Sequence, residues 1–185
     1  AADGFSRAGG RVGVCIATSG PGASNFVTGL ATAYADSSPL IAITGNVPLS
    51  LLGTDGFQEV DTTGITMAVT KHNFIVKDAD ELSETIVKAY EIALSGRCGP
   101  VLIDIPKDVQ TAACDFSFRE PVLRKSRPFS VNEGLKLIKS SARPCILCGG
   151  GVAASGAGDV LQRFAELIDA PVVSSMMGLS AFPHS

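Results

Sequence analysis

The sequence contains no tryptophan and only two histidines, His72 and His184. Neither histidine has a spacing that is typical of a metal site, and no Ser/His/Asp or Cys/His set can be argued from spacing. The net charge of −3 provides no basic surface for nucleic acid or for an anionic membrane. The longest apolar runs, such as 12–17 and 39–43, are too short to span a membrane, and no signal or transit peptide is visible. We therefore expect no metal site in this chain, no nucleic-acid partner and no membrane contact.

Charge is also scarce. Charged residues make up 18% of the sequence and hydrophobic residues 45%, and the mean hydropathy is +0.30. These values are high for a free-standing soluble monomer, so we expect much of the surface to be covered by other domains or subunits. We also expect the isolated chain to be poorly soluble.

The five cysteines are an odd number scattered through apolar segments, which favours reduced and mostly buried thiols. Cys145 and Cys148 form a C-x-x-C spacing. They lie in an apolar run that is typical of a buried strand, whereas redox C-x-x-C pairs need a helix N-terminus to lower the thiol pKa. We interpret them as two core cysteines, in a cytoplasmic or plastid-stroma setting.

Short apolar runs alternate with segments of helical periodicity, a pattern typical of an α/β fold whose parallel sheet is covered on both faces. The predicted strands are 11–17, 39–44, 73–76, 101–105, 144–148 and 171–174, and the predicted helices are 23–34, 80–94, 131–140 and 159–168. The pattern breaks down after Lys107 and resumes near Val131. We predict a first domain at 1–118, a linker at 119–130, and the start of a second, Rossmann-like domain at 131–185.

Two glycine-rich turns each join a predicted strand to a helix: Gly20-Pro21-Gly22 and Gly149-Gly150-Gly151. Glycine lets the backbone approach a ligand closely at such a position. Neither turn completes a Walker or a dinucleotide fingerprint. Each turn either binds a ligand or merely connects two elements, and the turns alone do not decide between these alternatives.

Several motifs, in their residues and in their order along the chain, resemble those of the acetolactate synthase family of thiamine-diphosphate enzymes. The motifs are Asp3-Gly4-Phe5-Ser6-Arg7, Thr18-Ser19-Gly20-Pro21-Gly22-Ala23-Ser24-Asn25, Ile43-Thr44-Gly45-Asn46-Val47-Pro48, Gly53-Thr54-Asp55-Gly56-Phe57-Gln58-Glu59, Thr70-Lys71-His72-Asn73, Gly96-Arg97-Cys98-Gly99-Pro100-Val101 and Asp104-Ile105-Pro106-Lys107-Asp108-Val109-Gln110. The resemblance covers essentially the whole chain. It implies a pyrimidine-binding domain followed by a truncated central, flavin-binding domain.

The resemblance also implies an activity, cofactors and site residues. Members join two pyruvates, or pyruvate and 2-oxobutanoate, with loss of carbon dioxide in branched-chain amino-acid synthesis. The residues expected at thiamine diphosphate are Gly20, Pro21, Gly22 and Asn25, and those expected at FAD are Arg97, Gly149, Gly150 and Gly151. The residues expected along the substrate channel are Phe57, Gln58, Lys107, Pro48 and Gly56, with Gln58 also supporting catalysis. Lysine suits a channel for pyruvate because pyruvate is an anion.

The family's catalytic glutamate is expected upstream of Ala1, since neither Glu59 nor Glu84 occupies an equivalent place. The domain that holds the diphosphate through Mg²⁺ is expected outside this sequence. We therefore expect an internal piece of a longer enzyme, inactive alone. A homodimer or higher oligomer and a regulatory small subunit are the expected partners.

Two alternatives stay open. One is another flavin-containing member of the superfamily, such as pyruvate oxidase or glyoxylate carboligase. The other is a non-catalytic binding or regulatory module that keeps the fold.

Overall fold

The chain forms two compact units, Ala1–Lys125 and Ser126–Ser185, in a computed structural model that describes residues 1–123 and 130–183. The division falls inside the predicted linker 119–130. Residues 124–129 of that linker lie outside the described residues, as do His184 and Ser185 at the end of the predicted second domain.

The first unit alternates strands and helices. Its strands are β1 (Gly13–Ala17), β2 (Leu40–Asn46), β3 (His72–Ile75) and β4 (Pro100–Pro106), and its helices are α1 (Ala2–Gly9), α2 (Pro21–Ser24), α3 (Phe26–Ala35), α4 (Thr62–Thr66), α5 (Leu82–Leu94) and α6 (Lys107–Thr111). Three short 3₁₀ segments lie at Leu49–Leu51, Met67–Val69 and Ala79–Glu81.

The four strands form one parallel sheet in the order β1-β2-β4-β3. Every residue of β4 is buried, as expected for a central strand covered on both faces. Helix α5 packs on one face with Val101 and Ile103, and α3 packs on the other with Leu102. The fully buried strand β4 therefore positions the sheet, and the strand ends on either side of it are fixed by parallel register.

The second unit is smaller. Its elements are α7 (Asn132–Ser140), β5 (Ile146–Cys148), α8 (Gly150–Ala154), α9 (Gly158–Ile168) and β6 (Val172–Ser174), followed by a 3₁₀ segment at Met176–Gly178. The two strands pair in parallel. Cys148 and Ala165 are buried, while Leu147 is 75% exposed and its register partner Val173 is also exposed. The described residues of this unit thus cover one face of its sheet.

The predicted α/β fold with parallel sheets is confirmed, and each predicted strand is present with shifted ends. The predicted helix at 23–34 is instead two helices, α2 and α3, separated at Asn25. The expectation that regular structure ends at Lys107 is wrong, because Lys107 begins α6. The tight turn expected at 149–151 is also wrong in part, since Gly150 and Gly151 begin α8.

The five cysteines are free, but the expectation of mostly buried thiols is wrong. Cys148 is buried, whereas Cys145 and Cys114 are exposed. No helix within residues 1–123 and 130–183 is long and apolar enough to cross a membrane.

Candidate functional site

Three of the predicted site segments meet at the carboxyl edge of the four-stranded sheet. The register aligns Ala17 of β1 with Thr44 of β2, and Asn46 of β2 with Pro106 of β4. The glycine turn follows β1, the loop with Phe57 and Gln58 follows β2, and Lys107 follows β4. Open parallel sheets bind ligands at this edge, because the loops from several strands converge there.

The turn after β1 depends on glycine for two separate reasons. Gly20 has a φ of +61°, and a Cβ placed there would lie 2.9 Å from the carbonyl oxygen of Gln58. A Cβ on Gly22 would lie 2.7 Å from the methyl carbon of Thr18. Larger side chains are therefore excluded at both positions. With the backbone fixed in this way, Pro21 and Asn25 are exposed at the edge of the sheet.

The segment after β2 is organised by a buried carboxylate. Asp104 is fully buried and accepts a hydrogen bond from the hydroxyl of Thr44 at 2.6 Å and another from the side-chain amide of Asn46. The oxygen of that amide accepts from the backbone N–H of Val47 at 2.8 Å. Burial raises the pKa of Asp104, and the hydrogen bonds from Thr44 and Asn46 partly oppose this. The network fixes the exit of the chain from β2, where Pro48 follows.

A second carboxylate links this segment to the start of α6. Asp108 accepts a hydrogen bond from the backbone N–H of Leu49 at 3.0 Å. Asp108 directly follows Lys107, which is exposed at the first position of the helix. The Lys107 position and the Pro48 region are thus held together by a direct contact. Lys107 provides an exposed cation at the edge of the sheet.

The loop between the 3₁₀ segment Leu49–Leu51 and α4 carries Phe57 and Gln58. Phe57 is 90% exposed, an unusual position for a large aromatic side chain. Gln58 has a φ of +61°, and its backbone lies directly over Gly20. Gly56 has room for a methyl group, since a Cβ there would be 3.6 Å from the hydroxyl of Thr54. The loop thus presents an apolar ring and an amide beside the glycine turn.

The structure does not bring Arg97 to this edge. Its Nε donates to the hydroxyl of Ser37 at 2.6 Å, and its Nη2 donates to the carbonyl of Ala35 at 2.8 Å. These partners follow or end α3 and precede β2, so Arg97 lies at the amino edge of the sheet. The length of β4, about 20 Å by strand geometry, separates the two edges. Among the described residues, Nη1 of Arg97 has no hydrogen-bond partner and remains available to a ligand.

In the second unit, the predicted glycines combine a packing role with an accessible backbone. A Cβ on Gly150 would lie 3.0 Å from the Cβ of Met177, so this glycine permits close packing. A Cβ on Gly149 would make an ordinary contact of 3.5 Å with the hydroxyl of Ser175, and one on Gly151 would meet nothing within 4 Å. Gly151 therefore has open space beside it.

The sequence interpretation missed Asp104 and Asp108 as site-organising residues. Asp104 had a recognisable signal, because it is a lone carboxylate inside the apolar strand Val101–Ile105. Asp108 had no such signal, since its partner Leu49 is distant in sequence.

His72 makes an edge-to-face contact with Phe74, with ring centroids 4.4 Å apart. Residues 1–123 and 130–183 hold no group of three or more His, Cys, Asp or Glu side chains placed to bind a metal ion.

Comparison with protein families matches two consecutive domains. Residues 1–65 match the thiamine pyrophosphate enzyme N-terminal TPP binding domain, and residues 131–185 match the thiamine pyrophosphate enzyme central domain. The chain belongs to the thiamine pyrophosphate enzymes. The N-terminal match includes the turn at Gly20 and the loop with Phe57, and the central match includes Gly149–Gly151. Arg97 and Lys107 lie between the two matches.

Several members of this family are similar to the chain over its whole length. It is 51% identical to a probable acetolactate synthase large subunit of Methanocaldococcus jannaschii, with 100% of this chain and 33% of that protein covered. It is 48% identical to the acetolactate synthase large subunit of Corynebacterium glutamicum, with 100% and 31% covered. It is 46% identical to acetolactate synthase 1, chloroplastic, of Zea mays, with 99% and 30% covered. The chain spans about a third of the length of these relatives.

Proposed function

We propose that this chain is part of an acetolactate synthase, which joins two pyruvates, or pyruvate and 2-oxobutanoate, with release of carbon dioxide. The observation that carries the proposal is the meeting of three segments at one sheet edge: the Gly20 turn, the Phe57–Gln58 loop and Lys107. The similarity to proteins named acetolactate synthase extends through all three segments. Such an edge can hold a cofactor ring, cover it and attract an anion.

The proposed thiamine-diphosphate contacts are Gly20, Pro21, Gly22 and Asn25. The residues fit the aminopyrimidine, because Gly20, buried under the backbone of Gln58, and Gly22 hold the turn in place while Pro21 and the amide of Asn25 are exposed beside it. When bound, thiamine diphosphate supplies the nucleophilic carbon for the condensation. The residues of this chain bind and orient one end of it, and the glutamate that activates it is proposed to lie outside these residues.

Lys107, Phe57 and Gln58 are proposed to guide the substrate. Pyruvate is a small anion, so the exposed ammonium of Lys107 raises its concentration near the site. The exposed ring of Phe57 provides an apolar wall that excludes water, and the amide of Gln58 can donate to a substrate oxygen. Pro48 and Gly56 are proposed to border the same channel. This division of roles separates attraction of the substrate from its orientation.

FAD is proposed to contact Arg97 and Gly149–Gly151. Nη1 of Arg97 suits an anionic or carbonyl oxygen of that cofactor, and the space beside Gly151 suits a closely approaching ligand. Mg²⁺ does not fit the described residues, which hold no suitable group of ligands, and we assign it to other parts of the protein. We also propose that the protein forms a homodimer or higher oligomer and binds a regulatory small subunit.

The first test is the activity of the protein expressed from the whole reading frame that contains this chain. With thiamine diphosphate, Mg²⁺ and FAD supplied, we expect acetolactate to form from pyruvate. Formation of a pyruvate-oxidation product or of a glyoxylate-condensation product would favour the related enzymes instead. A folded protein with no turnover of either keto acid would favour a non-catalytic module.

A lysine substitution tests the substrate assignment within that protein. We expect Lys107→Ala to raise the KM for pyruvate about fivefold, the size expected for losing one exposed charge contact. Lys88→Ala is the matched control, because Lys88 is exposed and pairs with Glu84 on α5 at 2.9 Å, away from the sheet edge. Equal KM values in the two variants would refute the role of Lys107.

A further inference from the structure

The loop Gly53–Glu59 contains three residues with positive φ: Gly53 at +78°, Asp55 at +56° and Gln58 at +61°. Residues other than glycine rarely adopt this conformation, because Cβ approaches the backbone too closely. Asp55 and Gln58 are therefore strained, and such strain persists only where surrounding contacts hold the backbone in place. At its start the loop is held by Thr54, whose hydroxyl donates to the carbonyl of Leu51 at 2.7 Å, but this bond does not reach Gln58.

Glu59 holds the loop through backbone hydrogen bonds. Its carboxylate accepts from the N–H groups of Gly53, Thr54 and Gly56, at 3.0 Å for Thr54 and 3.1 Å for Gly56. Its own N–H donates to the carbonyl of Gly56 at 3.0 Å. One anion thus closes the loop on itself, since charge-assisted bonds to several donors are stronger than neutral ones.

The closed loop determines where its exposed residues lie. Two loop residues, Phe57 and Gln58, lie in sequence between Gly56 and Glu59. Their neighbours are tied together, because the carboxylate of Glu59 accepts a hydrogen bond from the N–H of Gly56. The backbone of Gln58 is thereby pressed over Gly20, where even a methyl group would not fit. Phe57 projects outward from the same closed loop. The placement of both channel residues therefore depends on the carboxylate of Glu59.

We propose that Glu59 is the positioning residue of the substrate channel, acting through Phe57 and Gln58 rather than by touching the substrate. This role rests on the proposed function for its catalytic consequence, but the ordering of the loop does not. The hydrogen bonds from the backbone, that of Gly53 first, lower the pKa of Glu59, so the anion that the loop requires is present at neutral pH.

The test compares Glu59→Gln with Glu84→Gln in the protein from the whole reading frame. Both are charge-removing changes at glutamates with a lowered pKa, but Glu84 pairs with Lys88 on α5. Hydrogen–deuterium exchange should show the amides of Gly53, Thr54 and Gly56 exchanging about tenfold faster in Glu59→Gln, as expected for losing a charge-assisted bond. Glu84→Gln should leave these amides unchanged.

Steady-state kinetics provide the second measurement. In Glu59→Gln the KM for pyruvate should rise about tenfold, because the loop is no longer held closed. The thermal midpoint should stay unchanged, because the contacts of the sheet are not affected. Glu59→Asp keeps the charge but is one methylene shorter, so it should restore part of both the amide protection and the KM.

Two results would overturn the proposal. One is unchanged amide exchange in Glu59→Gln, which would mean that other contacts order the loop. The other is faster exchange with unchanged kinetics, which would mean that loop order does not matter for the substrate. A wild-type protein that makes no acetolactate, yet loses loop protection in Glu59→Gln, would refute the proposed function and still support the ordering role of Glu59.

Discussion

The two units of the chain use the same kind of parallel strand in opposite surroundings. Leu102 on β4 is completely buried against α3, whereas Leu147 on β5 is 75% exposed. Within residues 1–123 and 130–183, the first unit has four strands and the second has two. Because a two-stranded sheet is only marginally stable by itself, the second unit depends more than the first on packing against its own helices, such as α8 and α9.

The contrast extends to the candidate sites. At the carboxyl edge of the first sheet, buried hydrogen bonds of Asp104 and backbone contacts at Gly20 fix the geometry before any ligand binds. In the second unit, Gly151 meets nothing within 4 Å and the sheet face at Leu147 is open. The residues proposed to contact thiamine diphosphate are thus held in place within the first unit, whereas Gly151, proposed to contact FAD, has open space beside it.

The largest expected effect tests burial directly with a matched pair of substitutions. Leu102→Ala should lower the free energy of unfolding by about 2–5 kcal/mol, because it leaves a cavity in a packed core. Leu147→Ala should change it by about 0.5 kcal/mol or less, because the side chain is exposed. Urea denaturation of the protein expressed from the whole reading frame, followed by amide exchange within each unit, measures both. Similar losses for the two variants would show that the open face at Leu147 is covered in solution.

The next effect compares two glycines with nearly the same φ, although the ψ of Gly20, −119°, is also one that only glycine adopts readily. Gly20 has a φ of +61° and Gly156 a φ of +63°, but only Gly20 has atoms close to where a Cβ would be. Gly156→Ala should cost about 1 kcal/mol from the backbone alone. Gly20→Ala should cost about 1–3 kcal/mol more, because it collides with the backbone of Gln58. Thermal midpoints measure the difference, and equal losses would argue against the close approach of Gln58 to Gly20.

Much of the fold was predictable because it depends on local pattern. The buried strand at Val101–Ile105 is apolar apart from Asp104, and α5 shows a single apolar stripe ending at glycines. The short helix α6 was not predictable in this way, since five residues are too few to show a helical period. The break at Asn25 was also invisible, because the small residues around it suit one long helix as well as two.

The candidate site was predictable only as a set of motifs. Resemblance identified the turn, the loop and Lys107, and parallel register explains why they meet. The partners of Asp104 could not be predicted, since Thr44 is 60 residues and Asn46 is 58 residues away in sequence. The exposure of Cys145 was equally hidden, because apolar neighbours predict a strand but do not say which of its faces is covered.

A smaller effect is the pH dependence of stability, which should differ between the two units. Burial raises the pKa of Asp104 above its value in the unfolded chain, about 3.9. Its contribution to stability is therefore fully present below that value and is lost as pH rises through the folded pKa. Asp104→Asn should cost about 1–3 kcal/mol at pH 4, because the amide places a second, unpaired N–H in the buried site where the protonated carboxyl has none.

The stability difference between wild type and Asp104→Asn should then shrink as pH rises, as measured by urea midpoints from pH 4 to pH 8. Asp159→Asn is the control in the second unit, because Asp159 is an exposed residue in the first turn of α9. Asp159→Asn should change the free energy of unfolding by no more than about 0.5 kcal/mol at each pH. A constant deficit in Asp104→Asn would mean that Asp104 stays ionised throughout.

The smallest expected effect is that of an oxidant on the C-x-x-C spacing of the second unit. Cys148 is buried beside the hydroxyl of Ser174, with 3.1 Å between the two side-chain atoms, whereas Cys145 is exposed. Three residues along an extended chain span about 10 Å, well beyond the Cα separation of about 4.4–6.8 Å that a disulfide allows. Diamide treatment followed by peptide mass spectrometry should therefore find no bond between Cys145 and Cys148.

Cys145→Ser should remove any oxidation that involves Cys145 while leaving the unfolding midpoint unchanged. A bond between the two cysteines would require β5 to open, and the second unit would then be looser than its buried Cys148 indicates.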